Sequence, residues 1–362
     1  MQVFAREKSE KRLAFLDATR GFMVLLMVPI HVLFFGMFFA FTSQGEAIFP
    51  LFPLPVDFSL PLGTGILLFF FITGTSLSVS MARRTGQQSF PIAWWRVIKR
   101  YGVYYLLSIP CELLIWVSFM GWKINYSYYL LLAVAGSMSF TQDIQGLCLA
   151  AILTFPLIFY FSKRKLVAVS LGFALAVSIT LYLVLLPMSS ALPQFSPLNP
   201  LLIGYFAALK GVPLIIAGAI VGKFAMEGRD VMKKIFPIGL AITMAYIVIP
   251  LFSSHFIPVL VPIWTYPHAI LFALGFDLFL FGLFHYLVRR NTNVVLFQVP
   301  GRLSLFIYFG QFMLLLPIVE VIGGFGALSI QSLLGLGLLS EIVLLVFSYY
   351  FCKWRWGDPK GW

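Results

Sequence analysis

Residues Leu16–His31 read LDATRGFMVLLMVPIH, and whether this stretch crosses lipid or sits in a soluble core decides the fold. Arg20 and His31 are 11 residues apart. At about 100° per residue that spacing returns to within roughly 20° of the starting direction, so a regular helix carries both on one face with Asp17 close to it. Pro29, two residues before His31, is a kink position on such a helix. The axial separation is roughly 16 Å at 1.5 Å per residue, so the two side chains cannot touch. In a membrane they read as two stations of one conduit, a cation at the inner mouth for an anionic donor and an imidazole at depth for proton or group transfer. The plainer alternative makes Asp17 and Arg20 an interfacial cap and anchor, and His31 a buried histidine bonded to a neighbour.

The rest of the chain decides for lipid. It has 362 residues, 60% hydrophobic and 10% charged, with mean hydropathy +0.96, which excludes an ordinary soluble domain. Apolar runs long enough for a hydrocarbon core of about 30 Å recur throughout. The expected fold is an all-α polytopic transmembrane bundle forming one integral-membrane domain over residues 1–362. Ten spans are expected at 18–41, 62–82, 98–120, 144–162, 166–187, 208–226, 235–253, 267–288, 303–322 and 330–352. With a cytosolic N-terminus, every Lys and Arg except Lys123 and Lys210 then falls on or near the cytosolic side. The net charge of +12 is thus a matter of topology and not a nucleic-acid footprint. Residues 126–140 would make an eleventh span, but crossing there puts Lys163–Lys165 on the wrong side, so they read as re-entrant or interfacial. Residues 1–20 are too charged, and the following run too long, for a cleaved signal peptide, so the first helix reads as an anchor. Cys111, Cys148 and Cys352 have no metal-ligand spacing and read as packing residues.

The outer connections are rich in Pro and Gly, as in AIFPLFPLPVDFSLPLGTG (47–65), whereas the inner ones are short and basic. Arg83, Arg84, Arg96, Lys99, Arg100, Arg289 and Arg290 cluster on the inner face. The positive-inside bias accounts for them, and they also suit an anionic ligand such as a nucleotide phosphate. Ionisable groups at membrane depth face a bundle interior or a wet cavity. Besides those on the first helix they are Glu112, Asp277 and Glu341, with Asp57, Asp143, Lys210, His255, His268, His285 and Glu320 nearer the ends. In GRLSLFIYFGQ (301–311), Ser304, Tyr308 and Gln311 share one helical stripe, with Arg302 at its cytosolic end. Such a stripe serves helix packing or catalysis. The small residues around Thr73, Gly74, Thr75 and Ser76 point to close helix packing.

RLAFLDATRGFMVLLMVPIH, with VDFSLPLGTGILLFFFITGTSLSVSMARR, DIQGLCLAAIL, IIAGAIVGKF and GRLSLFIYFGQ in order after it, resembles the heparan-α-glucosaminide N-acetyltransferase catalytic-domain family and its prokaryotic relatives. Envelope acyltransferases are similar in opening on an arginine and a histidine 11 residues apart. The resemblance implies transfer of an acyl group, typically acetyl, from cytosolic acetyl-CoA or another acyl-CoA to a hydroxyl or amine, such as that of a glycan, on the far side. It gives Arg20 to the donor, His31 the role of general base or transient acceptor, and Asp57 the family's acidic position in the first outer loop. The chain departs from the family in having no histidine between His31 and His255, and Gln311 where histidine is often found, which points away from glucosamine as the acceptor.

The expected enzyme is a plasma-membrane acyltransferase with a tunnel lined by the first helix and the 303–322 helix. Arg20, with Arg83, Arg84, Arg96 and Arg100 from an 83–100 basic loop, would hold donor phosphates. Ser304, Tyr308 or Gln311 would bond the developing oxyanion. Asp57, Lys210 and His268 would flank the acceptor's entry, with Asp17 beside the tunnel. No metal or nucleic acid is called for, and a homodimer is left open. The rival class is a proton-coupled secondary transporter of a small solute, motivated by Glu112, Asp277 and Glu341. A non-catalytic partner in envelope assembly is the third.

Overall fold

A computed structural model describes residues 14–29, 59–82, 89–120, 142–162, 167–189, 208–227, 231–256, 267–290, 292–322 and 329–357. The described residues are all-α, with no strand among them. The helices are α1 (14–29), α2 (Ser59–Ala82), α3 (Phe90–Met120), α4 (Gln142–Ser162), α5 (Val167–Ser189), α6 (Ala208–Glu227), α7 (Val231–Phe256), α8 (Pro267–Arg289), α9 (Val295–Arg302), α10 (Ser304–Ile322) and α11 (Ile330–Trp356). Each apolar run expected to cross a membrane coincides with a helix. The end of the first run, beyond residue 29, and residues 126–140 lie outside the described residues.

Two boundaries differ from expectation. Residues 90–100, expected in a basic loop, form the first three turns of α3. Ser89 supplies the first acceptor, its carbonyl taking the Ala93 N–H at 3.1 Å, and Pro91 sits in the first turn, where a missing N–H costs nothing. Trp94, Val97 and Tyr101 turn inward at helical spacing while Trp95, Arg96, Lys99 and Arg100 stay exposed, an amphipathic pattern that reads as helix despite its charge. The second difference is α9. GRLSLFIYFGQ is not one helix: α9 and α10 break at Leu303 (φ −106°, ψ 19°) and bend by 77°. Leu303 closes one helix and starts the next, its carbonyl accepting from Ile307 N at 2.9 Å.

The chain divides into two compact units, Ile66–Gly282 and Met1–Gly65 with Leu283–Trp362. In the first, α4 packs against α3 and α6, and α5 against α6 through Val167, Leu171, Ala174 and Ile216. α2 and α6 cross with their backbones in contact. A Cβ on Gly74 would lie 1.8 Å from the Ile215 carbonyl oxygen, and one on Gly218 would lie 1.9 Å from that of Phe71. Glycine therefore sets this crossing, and Thr75 Oγ1 bridges it by reaching the Phe71 and Gly218 carbonyls at 3.1 and 3.0 Å. Gly74 and Thr75 are packing residues, as the small-residue composition of α2 suggests.

In the second unit α1 crosses α9 in the same manner at Gly21 and Gly301. A Cβ on either glycine would sit 1.7 Å from the other helix's carbonyl oxygen, Phe297 for Gly21 and Asp17 for Gly301. Phe22, Phe284 and Phe297 close around the crossing with ring centroids 5.3–5.9 Å apart. α9 and α10 both pack on α11, the latter through Phe306 stacked on Phe347 at 5.3 Å.

Many large apolar side chains point away from the protein interior: Val169 and Phe173 are 69% exposed and Leu106 64%. Among the described residues one helix, Gln331–Arg355, is by itself long and apolar enough to cross a membrane. Val295–Arg302 with Ser304–Ile318 makes a bent second candidate.

Candidate functional site

Within the Ile66–Gly282 unit, α2, α3 and α4 enclose a cleft of about 200 Å³. Its polar wall is Ser76 and Ser80 from α2 facing Arg96, Arg100 and Tyr101 from α3. Its apolar wall is Leu77, Met81, Val97, Phe155 and Phe159. Helical spacing explains the composition. Ser76 and Ser80 are four apart, as are Arg96 and Arg100, so each pair stands on one face. Arg100 Nε donates to the Tyr104 hydroxyl at 3.1 Å, and its guanidinium carbon lies 5.7 and 6.0 Å from the Tyr104 and Tyr101 ring centroids, within cation–π range. Among the described residues neither Arg96 nor Arg100 has an acidic partner. Ser76 Oγ donates to the Ile72 carbonyl. Trp94 Nε1 donates to the Ile152 carbonyl at 3.4 Å, and Phe90 packs on Phe159 at 5.1 Å, tying α3 to α4 beside the cleft.

The other unit holds a charged node of opposite character. Asp17 Oδ1 lies 3.2 Å from Arg20 Nη1, and Asp17 Oδ2 lies 3.5 Å from Arg302 Nε. One carboxylate thus joins α1 to the end of α9 beside the Gly21–Gly301 crossing. Arg20, expected to meet the donor, carries this carboxylate partner. His285 packs edge-on against Phe15 at 5.3 Å.

The α10 stripe is divided by burial. Tyr308 and Gln311 are buried and Ser304 is half-buried. Gln311 is 0% exposed, and neither its amide oxygen nor its nitrogen has a hydrogen-bond partner among the described residues. The same holds for the Ser348 hydroxyl on α11 and for both oxygens of Asp277 on α8. Unsatisfied buried polar atoms are rare enough in folded proteins that each asks for a water, a ligand or a functional reason.

The structure therefore brings together Arg96 with Arg100, and Asp17 with Arg20. His31, Asp57, Arg83 and Arg84 lie outside the described residues. Lys210 and His268 stand in the first turns of α6 and α8, but their side chains lie outside the described set, as does that of Glu112. Ser80, Tyr101, Phe155 and Phe159 are site residues that the sequence reading missed. The four-residue spacing of Ser76 and Ser80, just ahead of Arg83 and Arg84, was the available signal. Cys111, Cys148 and Cys352 are buried and in no disulfide among the described residues. No known protein-family model matches the chain, and no curated protein is similar to it above chance.

Proposed function

We propose that the chain is a polytopic membrane protein that transfers an acyl group from cytosolic acyl-CoA to a hydroxyl or amine acceptor, probed most simply as a sugar. The membrane reading rests on nine apolar helices of 19 residues or more, several of which expose Leu, Val, Ile and Phe, a distribution that water disfavours and hydrocarbon accepts. The resemblance of five motifs in order supports the acyltransferase reading. The observation that carries it is the cleft, where two arginines without an acidic partner among the described residues face two serines. Two cations held together in the absence of a counter-charge repel each other, and an anion relieves that cost. Planar guanidinium groups suit phosphate oxygens, and hydroxyls complete the shell.

On this reading Arg96 and Arg100 hold the donor's phosphates, joined by Arg83 and Arg84. His31 is the general base or transient acyl acceptor, with Asp57 as its acidic partner in the first outer loop. Purified protein in nanodiscs, given acetyl-CoA and a panel of amino and neutral sugars, is expected to release free CoA thiol. Arg96→Gln with Arg100→Gln is expected to weaken CoA binding at least tenfold, and His31→Ala to abolish transfer without changing binding. Absence of both CoA binding and thioester cleavage sinks the reading.

Asp277 favours a second reading. A fully buried carboxyl with no hydrogen-bond partner among the described residues is the kind of group that ferries protons in secondary transporters. Solute uptake driven by a pH gradient in vesicles, lost in Asp277→Asn and independent of CoA, would favour it over acyl transfer.

A further inference from the structure

We infer that the ligand of the α2–α3–α4 cleft is a phosphate ester carrying a long apolar chain, and that the chain lies outside the cleft along α3. This rests on the cleft being the donor site, and extends that reading from the phosphate to the chain. The polar wall ends abruptly. On α3, Val103 follows Arg96 by seven residues, and Leu106 and Leu107 follow Lys99 and Arg100 by the same interval, so cations and apolar residues occupy continuous rows of one helix face. That face is uncovered: Val103 is 46%, Leu106 64% and Leu107 47% exposed. From residue 96 to 107 the rows run roughly 16 Å at 1.5 Å per residue, about half of a hydrocarbon core of ~30 Å.

A phosphate between the arginines therefore stands at the head of an exposed apolar track. The cleft itself is walled on its other side by Leu77, Val97, Phe155 and Phe159, so nothing polar competes for the first methylenes. Exposed Trp95 next to Arg96 and exposed Tyr160 on α4 are the amphipathic rings that favour a membrane–water boundary. They set the depth of the arginines at the level of headgroup phosphates. Two sources supply this chemistry, a long-chain acyl-CoA from the cytosol and an anionic phospholipid from the bilayer.

The test uses the full chain in phosphatidylcholine nanodiscs, titrated with CoA, acetyl-CoA and palmitoyl-CoA, with empty nanodiscs subtracted for partitioning. A parallel sample contains phosphatidic acid, whose retention is read by native mass spectrometry. The expected result is at least tenfold tighter binding of palmitoyl-CoA than of acetyl-CoA. Arg96→Gln with Arg100→Gln should abolish it, and Val103→Ser with Leu107→Ser should cut the preference while sparing acetyl-CoA. Retention of phosphatidic acid that depends on the two arginines, with no CoA species bound, upholds the chain inference with the bilayer as source and overturns the donor reading. Equal affinity for acetyl- and palmitoyl-CoA overturns the chain inference and leaves the donor reading standing. Binding of none of these ligands overturns both. An unchanged melting temperature in both double variants guards against misfolding as the cause of any loss.

Discussion

Two pairs of arginines occupy the two units under opposite conditions. Arg20 and Arg302 share the carboxylate of Asp17 across the α1–α9 crossing, whereas Arg96 and Arg100 line a cleft with no acidic partner among the described residues. The first arrangement is complete within the chain. Its charges are answered by a neighbour, and the backbones around it approach so closely that only glycine fits. The second is answered by solvent and, at Arg100, by the Tyr101 and Tyr104 rings. A cation pair answered by aromatic faces and solvent keeps its affinity for an anion, which is why Arg20 is the weaker candidate for anion binding, and the later pair the stronger.

The largest expected effect comes from breaking the crossing that holds the answered pair. Gly301→Val places side-chain carbon against the Asp17 carbonyl, where both neighbours are backbone and neither can swing away. We expect a loss of about 3 kcal/mol or more, seen as failure to purify a monodisperse protein or a collapse of its thermal transition. A well-folded Gly301→Val variant with wild-type melting would mean that α1 and α9 are not in contact there. A smaller effect follows from Asp17→Ala, which leaves the backbones together and removes the shared carboxylate. All three side chains are partly exposed, so water answers some of the freed charge and the cost is about 1–2 kcal/mol. Thermal unfolding of Asp17→Ala beside Asp17→Asn measures it, with Asn recovering part of the loss through its hydrogen bonds. Equal stability of both variants and wild type would reduce the node to a surface contact.

Helices were the legible part of this fold, because runs of 20 apolar residues leave the backbone few ways to satisfy its own hydrogen bonds. The break at Leu303 was not legible. Pro300 and Gly301, the residues that look like a turn, are both helical. Gly301 is there because α1 lies against it, a tertiary fact with no local signature. The basic residues of 90–100, expected in a loop, are helical, and the inward spacing of Trp94, Val97 and Tyr101 is the signal for it. The arginine pair could be named from the sequence. Ser76 and Ser80 could be read as one face of α2, but only folding brings that face to α3.

The smallest expected change in stability is the one that separates the two arginine pairs most sharply. Arg96 is exposed and without an acidic partner among the described residues, so Arg96→Gln removes no internal interaction and relieves repulsion with Arg100. Its melting transition in ligand-free nanodiscs should stay within about 0.5 kcal/mol of wild type. Added ligand reverses the picture. Anything that binds the folded state stabilises it by RT ln(1 + [L]/Kd), about 2.7 kcal/mol at a hundredfold excess over Kd, so CoA or a phosphate-bearing lipid should raise the wild-type transition, and a tenfold loss of affinity in Arg96→Gln should cut that rise to about half. The same addition should shift Asp17→Ala as much as wild type, because that variant damages the answered pair and leaves the cleft intact. Were Arg96→Gln to melt early without ligand, Arg96 would be a structural residue like Arg20, and the contrast between the two units would dissolve.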